Sequence, residues 1–285
     1  MKRILLTGGL GDIVIALPIA HHFYQQGHEI LWPILPRFAP TCKAAAPWVN
    51  WFVVPVEPDE HKPMSWLNYF TLCGLPEFCR LDEDFLNLMD ITPNRNETDM
   101  HLKFDQHRYA KAGLPFLMKW NLADCITRYH DQEKALKEKV VPPGVPYVVA
   151  HLQGSSSKRD VDFEDIEAAG GKVVIIEPGL TDNVFNWLTV LEDADVLYMY
   201  DSVFANIVDQ MKFTNPKIFY RRSEMQMTPV MGMNWVFQGG PADWVEQTEK
   251  EFIGRGYNAS QYGPRLRELK KIRENREALL RKHGQ

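Results

Sequence analysis

At 285 residues, with 45% hydrophobic and 24% charged side chains, the chain is long enough for about two domains of ~150 residues, or for one large α/β unit. These values exclude a disulfide-stapled miniprotein and a disordered chain, and no apolar run reaches the ~18 residues of a membrane span. The net charge of −5 hides an asymmetry: from Pro264 onward eight Lys or Arg face three Glu, a local +5 that leaves the first 263 residues at −10.

The chain opens Met1-Lys2-Arg3-Ile4-Leu5-Leu6-Thr7-Gly8-Gly9, whose apolar stretch ends too early for a signal-peptide core, so a cytoplasmic location is expected. Cys42, Cys73, Cys79 and Cys125 form no C-x-x-C and share no ligand spacing with the nine histidines; they read as buried free thiols, and no metal site is expected. Strand-like runs at 3–7, 29–34, 51–56, 147–152, 172–177, 196–200, 217–220 and 235–238 are each followed by a helical stretch, which predicts βα units and parallel sheets.

After the first run comes Gly8-Gly9-Leu10-Gly11-Asp12, a glycine-rich turn entering a helix that runs to about Gln26. Glycines such as Gly9 and Gly11 let a ligand approach the backbone, and the helix N-terminus offers unpaired N–H groups to a phosphate or a sugar hydroxyl. Asp12 alone also reads as a helix-capping residue. The stretch 57–96, rich in Pro and aromatics, has no clean periodicity and reads as irregular decoration. Phe104 to Trp120 mixes aromatics with cations; it reads either as an aromatic core cluster with snorkelling bases or as an acceptor pocket in which Arg108 pairs with substrate. The Val-Pro-Pro-Gly-Val-Pro segment 141–146 supports neither helix nor central strand and marks a domain boundary. The resulting division is 1–142, 146–263 and a basic amphipathic helix over 264–285, with Leu266, Leu269, Ile272, Leu279 and Leu280 at helical spacing.

Gly11-Asp12 followed by Pro18 resembles the G-D-x-x-x-x-x-P opening of heptosyltransferase-like glycosyltransferases, whose architecture is the GT-B pair of Rossmann-like domains. The resemblance implies that Asp12 faces an interdomain cleft as the base for an acceptor hydroxyl. Beyond the boundary, Val149-Ala150-His151-Leu152-Gln153-Gly154-Ser155-Ser156-Ser157-Lys158-Arg159 is similar to the family's strand and H-x-G-x-S loop with a basic residue, implying that Ser155, Ser156, Ser157, Lys158 and Arg159 meet the donor diphosphate. The run ending Tyr200-Asp201-Ser202-Val203-Phe204-Ala205-Asn206 resembles the family's D-[ST]-G-x-x-H. Asp201 and Ser202 match, Val203 replaces the glycine, and Asn206 replaces the histidine but can still donate a hydrogen bond.

What the resemblance implies is a GT-B-like, inverting, metal-independent transferase moving a hexosyl, pentosyl or heptosyl group from a nucleotide diphosphate sugar, held by the second domain, to a hydroxyl acceptor held by the first. No cofactor is called for, since the nucleotide sugar is a substrate. Three other functions fit parts of the pattern. A phage-type transferase acting on a modified DNA base would use the basic tail, although the net −5 and the lack of a broader basic stripe argue against DNA. An NAD(P)-dependent nucleotide-sugar reductase or epimerase would share the glycine-rich turn, but Val14 stands where its third glycine falls and Trp32-Pro33 where an acidic residue would hold ribose. A non-enzymatic nucleotide-sugar binding protein would tolerate Val203 and Asn206.

Overall fold

Strands and helices alternate through the described chain of this computed structural model, which covers residues 1–6, 8–54, 75, 78, 80, 82–89, 103–154, 161–221, 229–232 and 235–238. The described residues form two compact units, one from Met1–Glu133 with Pro178–Trp187, the other from Lys134–Glu177 with the chain after Trp187.

In the first unit, β1 (Lys2–Leu5) leads into α1 (Leu10–Gln25), then β2 (Ile30–Ile34), α2 (Ala39–Ala45), β3 (Asn50–Val53), β4 (Phe85–Asn87) and α3 (Phe104–Lys111). All four strands are parallel, in the order β3-β2-β1-β4, with Arg3 opposite Leu31 on one side and Phe85 on the other. Ile4, Leu5 and all of β2 are buried, as expected of strands covered on both faces. Leu5, Leu31, Leu35 and Val54 share one core with Leu75 and Phe78. Helix α1 is buried continuously from Ile13 to Ala20 and passes through Pro18, which removes one rung of its hydrogen-bond ladder without ending it. Pro33 is tolerated inside β2 because its pairing with β1 covers only Ile30 and Leu31; beyond them the Trp32 indole N–H donates to the Leu6 carbonyl at 2.9 Å. Strand β4 lies within the stretch read as irregular. At three residues, directly after Asp82-Glu83-Asp84, it is too short to show a period, and it exists because β1 offers it a free edge.

Helix α4 (His130–Val140) precedes the second sheet, built from β5 (Tyr147–His151), α5 (Glu164–Ala168), β6 (Lys172–Ile175), α6 (Leu188–Glu192), β7 (Val196–Tyr200), α7 (Val203–Gln210), β8 (Lys217–Tyr220) and β9 (Trp235–Gln238). These five strands are also all parallel, ordered β6-β5-β7-β8-β9. Val149, Leu197, Met199 and Phe219 are fully buried in it. The buried Asp209 carboxylate fastens the last strand by accepting hydrogen bonds from the Gly232 N–H and the Trp235 indole.

The architecture is thus α/β with two parallel sheets, as the strand pattern predicts, and two such α/β units are what the GT-B resemblance implies. Among the described residues no helix is long and apolar enough to cross a membrane. The basic segment 264–285 lies outside the described residues.

Candidate functional site

Open parallel sheets bind ligands at the carboxyl ends of their strands, where the connection reverses direction. In the first unit that point falls between β1 and β4, because β1 continues to β2 on one side while β4 joins it later on the other. The glycine-rich turn follows β1 there. Gly9 is the N-cap of α1, in extended conformation, and Gly11 lies in the helix's first turn. Asp12 occupies the third helical position and folds back, so that its Oδ2 accepts the Gly9 N–H at 3.0 Å. This completes half a capping box and satisfies a donor that the helix start leaves open. A β-carbon at Gly8 would lie 2.8 Å from that oxygen, so only glycine leaves room for this pose.

The other Asp12 oxygen, Oδ1, meets Arg108 Nη1 at 2.7 Å. Arg108 stands on α3, and its Nε donates to the Leu88 carbonyl just beyond β4 at 3.3 Å. The guanidinium also lies 5.0 Å from the centre of the Phe104 ring. Helix α3 is tied to α1 by the Tyr109 hydroxyl, which donates to the Ile15 carbonyl at 2.9 Å. Buried Asp105 pairs with buried Lys119 at 2.9 Å. The Arg108 side chain is only 7% exposed, whereas Asp12 is 30% exposed. Arg108 and Lys119 therefore pack inward, while Lys111 is exposed, and at this sheet end the open face belongs to the carboxylate.

In the second unit the reversal falls between β5 and β7. His151 ends β5, and Ser202 is the N-cap of α7 immediately after β7; the Ser202 hydroxyl and His151 Nδ1 are hydrogen-bonded at 2.9 Å. Burial, with Phe204 packed 4.7 Å from the imidazole, pushes the His151 pKa down to about 4, so the ring is neutral near pH 7. Asp201 is buried and its N–H donates to the Tyr220 carbonyl. Asn206, also buried, turns its amide back to donate to the Ser202 carbonyl at 3.0 Å. Its expected donor is thus engaged within the first turn of α7.

The sequence-selected residues separate accordingly. Gly9, Gly11, Asp12 and Arg108 gather at the end of the first sheet; Asp201, Ser202 and Asn206 gather at the end of the second. Ser155, Ser156, Ser157, Lys158 and Arg159 lie outside the described residues. His151, which the sequence marks only as part of the H-x-G-x-S-like run, joins the end of β5 to the start of α7 through its side chain. Its position at the last residue of a strand was the available signal. The reductase reading loses its ribose site, since Trp32 is buried against Leu6 and the residues ending β2 carry no carboxylate.

No protein-family model matches the chain, and no curated protein is similar to it in sequence. Among solved structures, a glycosyl transferase family 9 protein from Veillonella parvula aligns with a TM-score of 0.51, over 88% of this chain and 89% of that one, at 10% sequence identity. The Escherichia coli heptosyltransferase WaaC, solved with ADP-2-deoxy-2-fluoro heptose, aligns at 0.48 over 90% of this chain and 99% of that one, at 12% identity. The E. coli ADP-heptose LPS heptosyltransferase II also scores 0.48, at 9% identity over 83% and 90%. The fold of this chain is that of the family 9 glycosyl transferase.

Proposed function

We propose that the protein is a glycosyltransferase that moves a sugar from a nucleotide diphosphate sugar to an acceptor hydroxyl, with inversion and without a metal. The observation that carries this reading is the Asp12 carboxylate, held at the ligand-binding end of the first sheet in a chain with the fold of a family 9 glycosyl transferase. In the proposed reaction Asp12 takes the proton of the acceptor hydroxyl, whose oxygen attacks the anomeric carbon. The bond from that carbon to the diphosphate oxygen breaks on the opposite face, and the nucleoside diphosphate leaves. A single displacement inverts the anomeric centre. Residues 1–142 supply the acceptor side, and residues 146–263 the donor side. There the N-terminus of α7 and Ser202, together with Ser155, Ser156, Ser157, Lys158 and Arg159, receive the departing diphosphate, and the buried Asp201 and Asn206, whose amide is turned to the Ser202 carbonyl, hold the start of α7. Helix dipole and cations both favour the negative charge that develops on the diphosphate.

Replacing Asp12 by Ala tests the reading. Turnover should fall by ~10²-fold or more while calorimetric affinity for the nucleoside diphosphate stays within about threefold. An equal loss of affinity and turnover would count against a base. Proton NMR of the product should show the anomeric configuration opposite to the donor's; retention would exclude the single displacement.

A further inference from the structure

The capping contact needs only the Gly9 N–H, yet the Asp12 carboxylate is gripped from a second direction by a side chain 96 residues away. We propose that Arg108 is a positioning residue that acts through Asp12, fixing the carboxylate so that its remaining lone pairs face the acceptor hydroxyl. The proposal rests on the reading of Asp12 as the base. An ionised carboxylate offers about four acceptor positions. One is taken by Gly9 N–H and one by Arg108 Nη1, and the 30% exposure of Asp12 leaves the others toward solvent.

Arg108 suits this task better than contact with substrate. At 7% exposure it offers little surface to a ligand. Its fork is used in two directions at once, Nη1 to Asp12 and Nε to the Leu88 carbonyl, with the Phe104 ring against the guanidinium. Each partner is fixed in turn: Leu88 follows β4, which pairs with β1, and α3 is bonded to α1 through Tyr109 and Ile15. The guanidinium therefore transmits the spacing between β4, α3 and α1 to one carboxylate oxygen. Gly8 leaves space for the other oxygen, because a β-carbon there would approach within 2.8 Å. A base held in one orientation before substrate arrives avoids reorganisation during the reaction, and loss of such alignment costs turnover rather than binding.

The experiment compares Arg108→Met, which keeps length and apolar contact with Phe104, with Arg108→Lys, Asp12→Ala and the Asp12→Ala/Arg108→Met double variant. Arg108→Met should lower kcat by ~10-fold or more, with KM for donor and acceptor within about threefold of wild type, and should cause no further loss in the Asp12→Ala background. Amide exchange at Gly9 should quicken in Arg108→Met, because its carboxylate partner is released. Arg108→Lys, which keeps the charge but cannot reach both Asp12 and Leu88, should show the same two effects in smaller measure, and it carries the test if the methionine variant fails to fold. A rise in acceptor KM with unchanged kcat, an equal loss with and without Asp12, or unaltered Gly9 exchange would overturn the proposal. Should wild-type protein transfer no sugar from UDP-, ADP- or GDP-linked donors, the transferase reading falls, while Gly9 exchange still decides whether Arg108 holds the carboxylate.

Discussion

Single residues at the two sheet ends are set by what burial and hydrogen bonding demand of them, and His151 shows this most directly. Its pKa of about 4 in the folded chain lies below the 6.5 of a solvated imidazole, because burial penalises the charged ring. The unfolded chain therefore takes up this proton first. The contribution of the neutral ring to stability is complete above about pH 6.5 and is lost as pH falls from there toward 4, with a full span on the order of 3 kcal/mol. Replacing His151 by Gln keeps a partner for the Ser202 hydroxyl and removes the titration. Wild type should lose about 4 °C more in melting temperature than the variant between pH 7 and pH 5. Equal pH dependence of the two proteins would show that the imidazole is freely solvated. Cys42 and Cys125, buried and pushed up to about 12, behave as the free thiols expected from their spacing; Cys73 and Cys79 lie outside the described residues.

At the scale of elements, α3 is a short helix whose value lies in where it is docked. Its sequence, Phe-Asp-Gln-His-Arg-Tyr-Ala-Lys, is polar for a segment in which Asp105, His107, Arg108 and Tyr109 are all buried. Docking therefore relies on specific polar partners: Asp105 with Lys119 from the turn at Phe116–Trp120, Tyr109 with Ile15, Arg108 with Asp12. Buried ion pairs contribute little relative to apolar packing, but removing one partner strands the other charge. Lys119→Met should accordingly cost ~3 kcal/mol or more in urea unfolding, and adding Asp105→Asn should recover a large part of it. Equal stability of the single and double variants would mean that the two groups are not coupled. The loss should also slow any activity that depends on Arg108, since α3 carries it.

For the whole molecule, two parallel sheets each present one glycine- or serine-marked strand end, and the proposed reaction needs a nucleotide sugar at one of them. A thermal-shift panel should show stabilisation by at least one UDP-, ADP- or GDP-sugar and none by NAD or NADP, because a ligand stabilises in proportion to its occupancy, by about 2.7 kcal/mol at 100 times Kd. Substituting Lys158 and Arg159 together by Gln should weaken nucleoside diphosphate binding in calorimetry. Unchanged affinity would remove that loop from the donor site. Stabilisation by the dinucleotides instead would return the reductase reading to the front.

The βα alternation and the glycine-rich turn with Asp12 were legible in the sequence, because each element is written in a window shorter than about twenty residues, and parallel sheets follow from the repeated alternation. Strand hydrophobicity, helix period and turn chemistry are local properties. Strand β4 was not legible: three residues show no period, and its pairing depends on an edge that β1 supplies from 82 residues away. Nor could the sequence say that Arg108 would close on Asp12 rather than point into a pocket, or that Ser202 would meet His151 across 51 residues. Those meetings follow from strand order, which sets β4 and α3 against the start of α1 and sets β5 beside β7. Strand order is chosen by the burial of entire faces at once, so only the assembled fold decides which distant polar groups share a site.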